Sequence, residues 1–425
     1  MRIYKFGGAS VKDASGVKNV AQIIAERGKN DLLVVVSAMG KTTNALEKLI
    51  SAAYNKSTEI SELLLSVKMT HLSIVKELFN EDEVMYFNEI ENLFLELECL
   101  LENEQLLEDY DFLYDQVVGF GELISTRIIS GYLLKMGIRN QWVDARNFII
   151  TDSRHRDARV QWEETEKVIQ HRLEPLSKKN LIITQGFIGR GSKGETTTLG
   201  REGSDYSAAI FGKLLHAESV SIWKDVDGVL NADPKKFDDT VLIPELTYND
   251  AIELAYYGAS VIHPKTIQPL KAAGIPLYVR SFLNVQKQGT RVFEGHGSLK
   301  TPCKILKDDQ TLIEIVSTDF TFIAENHLRD IFELFTKHKV RVNIMQNSAI
   351  HFRCVIDAKE NEHSPLLEAL TSMGFKVSTE RGHKLLSIYQ PEIGEARAEA
   401  EAMGNIIMEQ QMEHSAHFLI STKGS

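Results

Sequence analysis

Residues 196–209 read Thr196-Thr197-Thr198-Leu199-Gly200-Arg201-Glu202-Gly203-Ser204-Asp205-Tyr206-Ser207-Ala208-Ala209. Four hydroxyls, two glycines, an arginine and an aspartate precede a run of small residues that reads as a helix. Gly203 and Ser204 would place backbone N–H donors at that helix start, a natural site for an anion. Arg201 can grip a carboxylate through two parallel hydrogen bonds. An N-cap at Ser204 or Asp205 would account for one residue of this string but not for the rest.

Upstream, Leu181-Ile182-Ile183-Thr184 is a continuous apolar strand, and Gln185-Gly186-Phe187-Ile188-Gly189 leaves it. Downstream, Ser219-Val220-Ser221-Ile222 is another strand. It runs into Trp223-Lys224-Asp225-Val226-Asp227-Gly228-Val229-Leu230-Asn231-Ala232-Asp233-Pro234-Lys235. Aspartates and a glycine at a strand's C-terminal end suit a nucleotide. A calcium loop starting at Asp225 would need glutamate where Lys236 stands.

Continuous apolar strands alternating with helices predict a parallel sheet covered on both faces. The pattern begins at Ile3–Phe6, with a helix around Val17–Arg27 and a strand at Leu32–Val36. It resumes at Gln141–Asp144 and again at Pro276–Val279. Residues from about 45 to 135 interrupt it. They lack proline, and Leu63, Leu64, Val67, His71, Ile74, Val75 and Leu78 recur at helical spacing, so a helical insertion is expected.

Other strand ends carry candidates. Lys5-Phe6-Gly7-Gly8-Ala9-Ser10 sets a lysine beside glycines that allow backbone N–H groups close to phosphates. An ordinary tight turn is the competing reading. Gly40-Lys41-Thr42 looks like the end of a Walker A loop, but the required first glycine is Val35, inside a strand. Ser37, Thr43 and Asn44 remain available to a polar substrate. In Gly119-Phe120-Gly121-Glu122-Leu123-Ile124-Ser125, Glu122 opens a helix, where it can favour the helix dipole or hold an ammonium group.

Composition narrows the function classes. The 425 residues suffice for two or three domains, and 43% hydrophobic with 25% charged residues is ordinary for a globular chain. The net charge of −11 argues against a nucleic-acid surface. No stretch is read as spanning a bilayer, and the N-terminus lacks the apolar core of a secretory signal. Cys99, Cys303 and Cys354 are far apart, so neither a zinc site nor a disulfide framework is expected, and a cytoplasmic setting is.

A connector is expected at Gly295-His296-Gly297-Ser298. Beyond it, strands are expected at Thr311–Val316, Val340–Ile344, His351–Ile356 and Phe375–Ser378, with helices at Leu328–His338 and Ser364–Met373. That order is βαββαβ, a ferredoxin-like unit. A further βαβ piece is expected from Leu385–Tyr389, a helix over Glu395–Gln410 and His417–Ile420.

Taken in order, the strings Lys5–Ser10, Ser37–Asn44, Phe120–Ser125, Gln185–Gly189, Thr196–Ala209, Trp223–Lys235 and Gly258-Ala259-Ser260-Val261-Ile262-His263-Pro264 resemble the aspartate kinases of the amino-acid-kinase family. The C-terminal part resembles the ACT regulatory domains that this family carries. The resemblance implies an α/β fold: a parallel-rich sheet sandwiched by helices in residues 1–295, and an ACT-like α+β region in 296–425 whose second unit is incomplete. It implies phosphorylation of the L-aspartate side-chain carboxylate by ATP to give 4-phospho-L-aspartate, the first step toward lysine, threonine and methionine.

The resemblance also implies roles. Lys5 would lie on the transferring phosphoryl group, with Arg201 and Asp205 completing the catalytic set. Glu122 and Asp205 would hold the substrate ammonium and Arg201 its α-carboxylate, with Ser37, Thr43, Phe187 and Ser204 lining the pocket. The nucleotide would meet Lys5, Gly7, Gly8, Ser10, Lys224, Asp225, Leu230, Lys235 and Ser260. Mg²⁺ would ride on the phosphates, with no protein ligand assigned. A homodimer through the ACT-like units is expected, with neither membrane nor nucleic-acid partner.

Two departures from the family pattern stand out. Relatives carry lysine where this chain has Ser260, and threonine or serine where it has Lys224, so Lys224 is expected to replace the missing charge. Lysine-sensitive relatives hold the effector with acidic side chains, and the equivalents here, Asn343 and Ala349, are uncharged; strong lysine inhibition is not expected. Gly186–Gly191 spells G-x-x-G-x-G, the wrong order for a dinucleotide fingerprint, so a monofunctional kinase is expected. Glutamate or carbamate kinases and a non-catalytic amino-acid sensor are the competing readings.

Overall fold

Five consecutive apolar residues, Leu32–Val36, form a strand buried along its whole length. It is β2, and it lies parallel to β1 (Arg2–Phe6) in the middle of an eight-stranded sheet. Such strands are covered on both faces and need no polar alternation. The structure, a computed structural model, describes every residue except 29–30, 81–82, 260–261, 296–298, 300, 319–320, 359–362 and 422–425. The expected connector at 295–298 lies, apart from Gly295, outside the described residues.

The chain divides into two compact units. The first holds Met1–Val229, Leu242–Ile252 and Val261–His296. Its helices are α1 (Ala14–Arg27), α2 (Thr42–Tyr54), α3 (Ile60–Leu78), α4 (Val84–Leu101), α5 (Tyr110–Val118), α6 (Phe120–Lys135), α7 (Trp162–Val168), α8 (Glu174–Ser177), α9 (Gly203–Leu214), α10 (Tyr248–Tyr257, whose end clusters with the second unit) and α11 (Pro264–Ala273). Its further strands are β3 (Asn140–Val143), β4 (Leu181–Gln185), β5 (Ile188–Arg190), β6 (Thr196–Thr198), β7 (Ser219–Lys224), β8 (Glu245–Thr247), β9 (Leu277–Ser281) and β10 (Thr290–Phe293).

The large sheet runs β3-β4-β2-β1-β7-β9-β10-β8. All its neighbours are parallel except the β9–β10 pair. From β1 the chain passes to β2 on one side, and later enters β7 on the other. The C-terminal ends of β1 and β7 therefore flank a switch in strand order, where such sheets bind ligands. In register, Lys5 lies level with Val35 and Ile222.

The helical insertion is not a separate body. Leu46, Leu49, Val75, Phe94, Leu97 and Leu113 share one apolar core with Val34, Val36 and Phe6 of the sheet. One expectation needs correction: Tyr110–Lys135 is long and apolar enough to cross a membrane, with a mean hydropathy of 1.3. Its most apolar 18-residue window is 89% buried inside the fold, so its apolar character is that of a core element.

The second unit holds Leu230–Val241, Glu253–Ser260 and Gly297–Ser425. Its elements are β11 (Cys303–Ser317), α12 (Glu325–Lys337), β12 (Val342–Asn347), β13 (His351–Asp357), α13 (Ser364–Ser372), β14 (Phe375–Tyr389), α14 (Ile393–Met403), β15 (Asn405–Met412) and β16 (Ser415–Ser421). They build a six-stranded sheet, β12-β13-β11-β14-β16-β15. β12, β13, β11 and β14 with α12 and α13 make the expected ferredoxin-like unit.

Two expectations for its second half are corrected. The strands foreseen at Phe375–Ser378 and Leu385–Tyr389 are one fifteen-residue strand, β14. Its far half pairs with Cys303–Lys307 on one side and β16 on the other. The helix foreseen over Glu395–Gln410 stops at Met403, because Gly404 adopts φ +151°. Asn405–Met412 then pairs with β16 instead.

Candidate active site

Lys5 is the penultimate residue of β1 and is only 6% exposed. Its Nζ lies 2.7 Å from Oδ1 of Asp205, which is fully buried in the first turn of α9. On the other side, Lys224 Nζ at the end of β7 lies 3.5 Å from Asp205 Oδ2. One carboxylate thus holds two lysines from two neighbouring strands. Burial by itself would raise the Asp205 pKa, but the Lys5 and Lys224 ammonium groups outweigh it and hold the carboxyl below its usual range.

Close backbone contacts put Asp205 there. A Cβ on Gly186 would stand 2.5 Å from Ser204 Cβ, so only glycine lets the loop after β4 reach the start of α9. The turn before α9 needs left-handed backbone at Gly200 (φ +77°) and Glu202 (φ +54°). Phe187, also left-handed at φ +70°, is fixed by its N–H donating to Ser207 Oγ at 3.0 Å and its carbonyl accepting from Leu199 N–H at 2.8 Å.

Around this start lies a cavity of about 410 Å³. Lys5, Ser37, Thr43, Glu122, Phe187, Arg201, Ser204 and Asp205 all line it, eight positions singled out from sequence alone. Glu122, in the first turn of α6, is 3% exposed. Its Oε1 accepts the Ala38 N–H at 3.1 Å, and its Oε2 has no partner among the described residues. Desolvation dominates here and pushes the carboxyl up to about 8, against the Ala38 hydrogen bond and the more distant Lys5 charge. A buried carboxyl with an open oxygen is a receptor for a cation.

Other expected residues fall elsewhere. Ser10 is fully buried and its hydroxyl donates to Gly7 O at 2.6 Å, so it shapes the turn after β1 and does not line this cavity. Gly7 and Gly8 belong to that same turn. Asp225 is exposed just past β7. Leu230 and Lys235 cluster with the second unit, where the Lys235 N–H donates to Asp233 Oδ1. Ser260 lies outside the described residues. Asp205, expected on a substrate ammonium, pairs with Lys5 and Lys224.

Sequence reasoning missed Tyr114, Arg156 and Glu202 on the cavity wall. It also missed Asp115, fully buried on α5. Asp115 accepts the Thr198 hydroxyl at 2.6 Å, the Thr198 N–H at 3.1 Å and His155 Nδ1 at 3.0 Å. Arg154-His155-Arg156-Asp157 reads as a solvated loop, and nothing local marks Asp115 as its buried anchor.

Among the described residues, no group of three or more His, Cys, Asp or Glu side chains is placed to hold a metal ion.

A family model described as the amino acid kinase family matches residues 1–281. Aspartokinase 1, chloroplastic, of Arabidopsis thaliana is 32% identical over 363 residues, which cover 84% of this chain and 63% of that protein. The lysine-sensitive aspartokinase 3 of Escherichia coli (strain K12) is 30% identical over 365 residues, 84% of this chain and 78% of that one. A crystal structure of E. coli aspartokinase III with aspartate and ADP superposes with a TM-score of 0.82 at 29% identity, covering 99% of this chain and 96% of that chain. The chain spans less than two thirds of the length of the Arabidopsis protein.

Proposed function

Since the chain belongs to the aspartokinases of the amino acid kinase family, we propose that it transfers the γ-phosphoryl group of ATP to the side-chain carboxylate of L-aspartate. The products are 4-phospho-L-aspartate and ADP, and the reaction opens the aspartate-derived branch of amino-acid biosynthesis. The observation that carries this reading is the Lys5–Asp205–Lys224 cluster beside a cavity lined by Glu122 and Arg201.

The chemistry asks little of the protein beyond placement. A carboxylate nucleophile is already ionised at neutral pH, so no general base is needed. Transfer then depends on alignment and on neutralising the charge of the phosphoryl oxygens. Lys5 takes those oxygens, and Asp205 fixes where its ammonium sits. Glu122 receives the substrate ammonium, and Arg201 its α-carboxylate. Ser37, Thr43 and Ser204 complete the polar wall.

Lys224 supplies a second ammonium beside Lys5, and the nucleotide phosphates lie toward it. Mg²⁺ bound through those phosphates would neutralise part of their charge.

Trapping the acyl phosphate with hydroxylamine tests the reading. Hydroxamate formed from ATP and aspartate, but not from glutamate, is the expected result. Activity with glutamate or carbamate instead, or with none of the three, overturns it.

A further inference from the structure

Arg156 stands on the wall of the same cavity as Arg201, yet no role for it follows from the reaction as derived above. Its backbone is left-handed, at φ +65°, a conformation that costs a side-chain-bearing residue energy. The loop is held there from below. Fully buried Asp115 accepts the Arg156 N–H at 3.1 Å and His155 Nδ1 at 3.0 Å, while also binding Thr198 at the end of β6. The Ala158 N–H donates to Thr198 O at 2.9 Å. The loop of Arg156 and the strand leading to Arg201 are therefore laced together through one carboxylate.

Among the described residues, the guanidinium itself is held at the rim, by the Tyr110 and Tyr114 rings and Asp111. It lies over the Tyr114 ring, 4.6 Å from the centroid, and Nη1 is 3.1 Å from Asp111 Oδ1. Asp111 is 59% exposed, so this ion pair is weak and easily exchanged. An aromatic floor beneath a planar cation leaves the hydrogen-bonding edge of that cation open to a carboxylate.

We propose that Arg156 is a second substrate-binding arginine, which leaves Asp111 to clamp the α-carboxylate of the amino-acid substrate together with Arg201. This rests on the proposed kinase reaction. Two arginines on one wall repel each other until an anion lies between them, so the clamp favours a substrate with a carboxylate at that end. Asp115 is a positioning residue for both walls of the clamp.

The test uses the full chain and the hydroxamate assay. Arg156→Gly suits the left-handed backbone and keeps the loop, while removing the guanidinium. The expected result is a KM for aspartate raised about tenfold, the loss of one charge-assisted hydrogen-bonding partner, with the KM for ATP unmoved. Arg156→Lys should recover part of the loss. Asp111→Asn, which frees the guanidinium, should lower the KM for aspartate. An Arg156→Gly variant with the wild-type KM for aspartate overturns the proposal while leaving the kinase reading intact. A wild-type chain that makes no hydroxamate from aspartate overturns both.

Discussion

Lys5 Nζ and Asp205 Oδ1 stand 2.7 Å apart, joining the end of the central strand to the first turn of α9. Both side chains are nearly sealed from solvent. A carboxylate so placed orients the lysine and, through its second oxygen, draws Lys224 to the same point.

Asp205→Asn removes the charge and keeps the shape. Two ammonium groups then face each other with no counter-charge. Breaking a buried pair costs about 3 kcal/mol, and misplacing a charge that meets the transferring group costs on the order of 100-fold in rate. The expected outcome is a lower denaturant midpoint together with kcat reduced by that factor. A variant with wild-type kcat would show that the orientation of Lys5 does not matter.

Glu122 is predicted to couple substrate binding to proton release. Its pKa rises from an ordinary 4.5 to about 8 in the folded state, chiefly through desolvation. Between those values the native protein holds a proton that the unfolded chain has lost, so stability falls as pH rises through that window. A substrate ammonium favours the ionised form, so aspartate binding at pH 7 should release a proton. Calorimetry in buffers of different ionisation heats measures it, and Glu122→Gln should abolish both the release and this part of the pH dependence. Proton release that persists in Glu122→Gln assigns it to another group.

Lys224 is predicted to serve the nucleotide. Lys224→Ala should raise the KM for ATP and lower kcat, with a smaller effect on the KM for aspartate. Steady-state kinetics in both substrates reads this directly. Wild-type ATP affinity and turnover in Lys224→Ala would confine Lys224 to a structural role with Asp205.

Lysine is expected to be a poor effector. Lys307 Nζ donates to Asn343 Oδ1 at 2.9 Å, and Asn343 Nδ2 donates to Gln310 Oε1 and Asp357 Oδ1. The chain's own ammonium thus takes the Asn343 oxygen, and Ala349 adds no charge. Millimolar lysine should leave the aspartate saturation curve unchanged. Cooperative inhibition at that concentration would contradict this.

The sequence by itself carried the alternation of strands and helices, the glycine turns and the string Thr196–Asp205. These signals are local: a buried parallel strand is apolar throughout, and a helix start wants hydroxyls and backbone donors. Lys5, Arg201 and Ser204 were legible for that reason, with Ser37, Thr43 and Glu122 as open candidates, while Phe187 and the substrate role of Asp205 came from the family resemblance. Tertiary structure alone decided which charges meet. Lys5, Asp205 and Lys224 belong to three elements that only the β2-β1-β7 order brings together. Arg156 reads as a solvated loop until Asp115, buried on another helix, turns it toward the cavity. Likewise β14 runs through both halves of its sheet because Cys303–Lys307 and β16 offer partners that lie far from it in the chain. Pairing across such distances depends on the whole fold, and no local pattern encodes it.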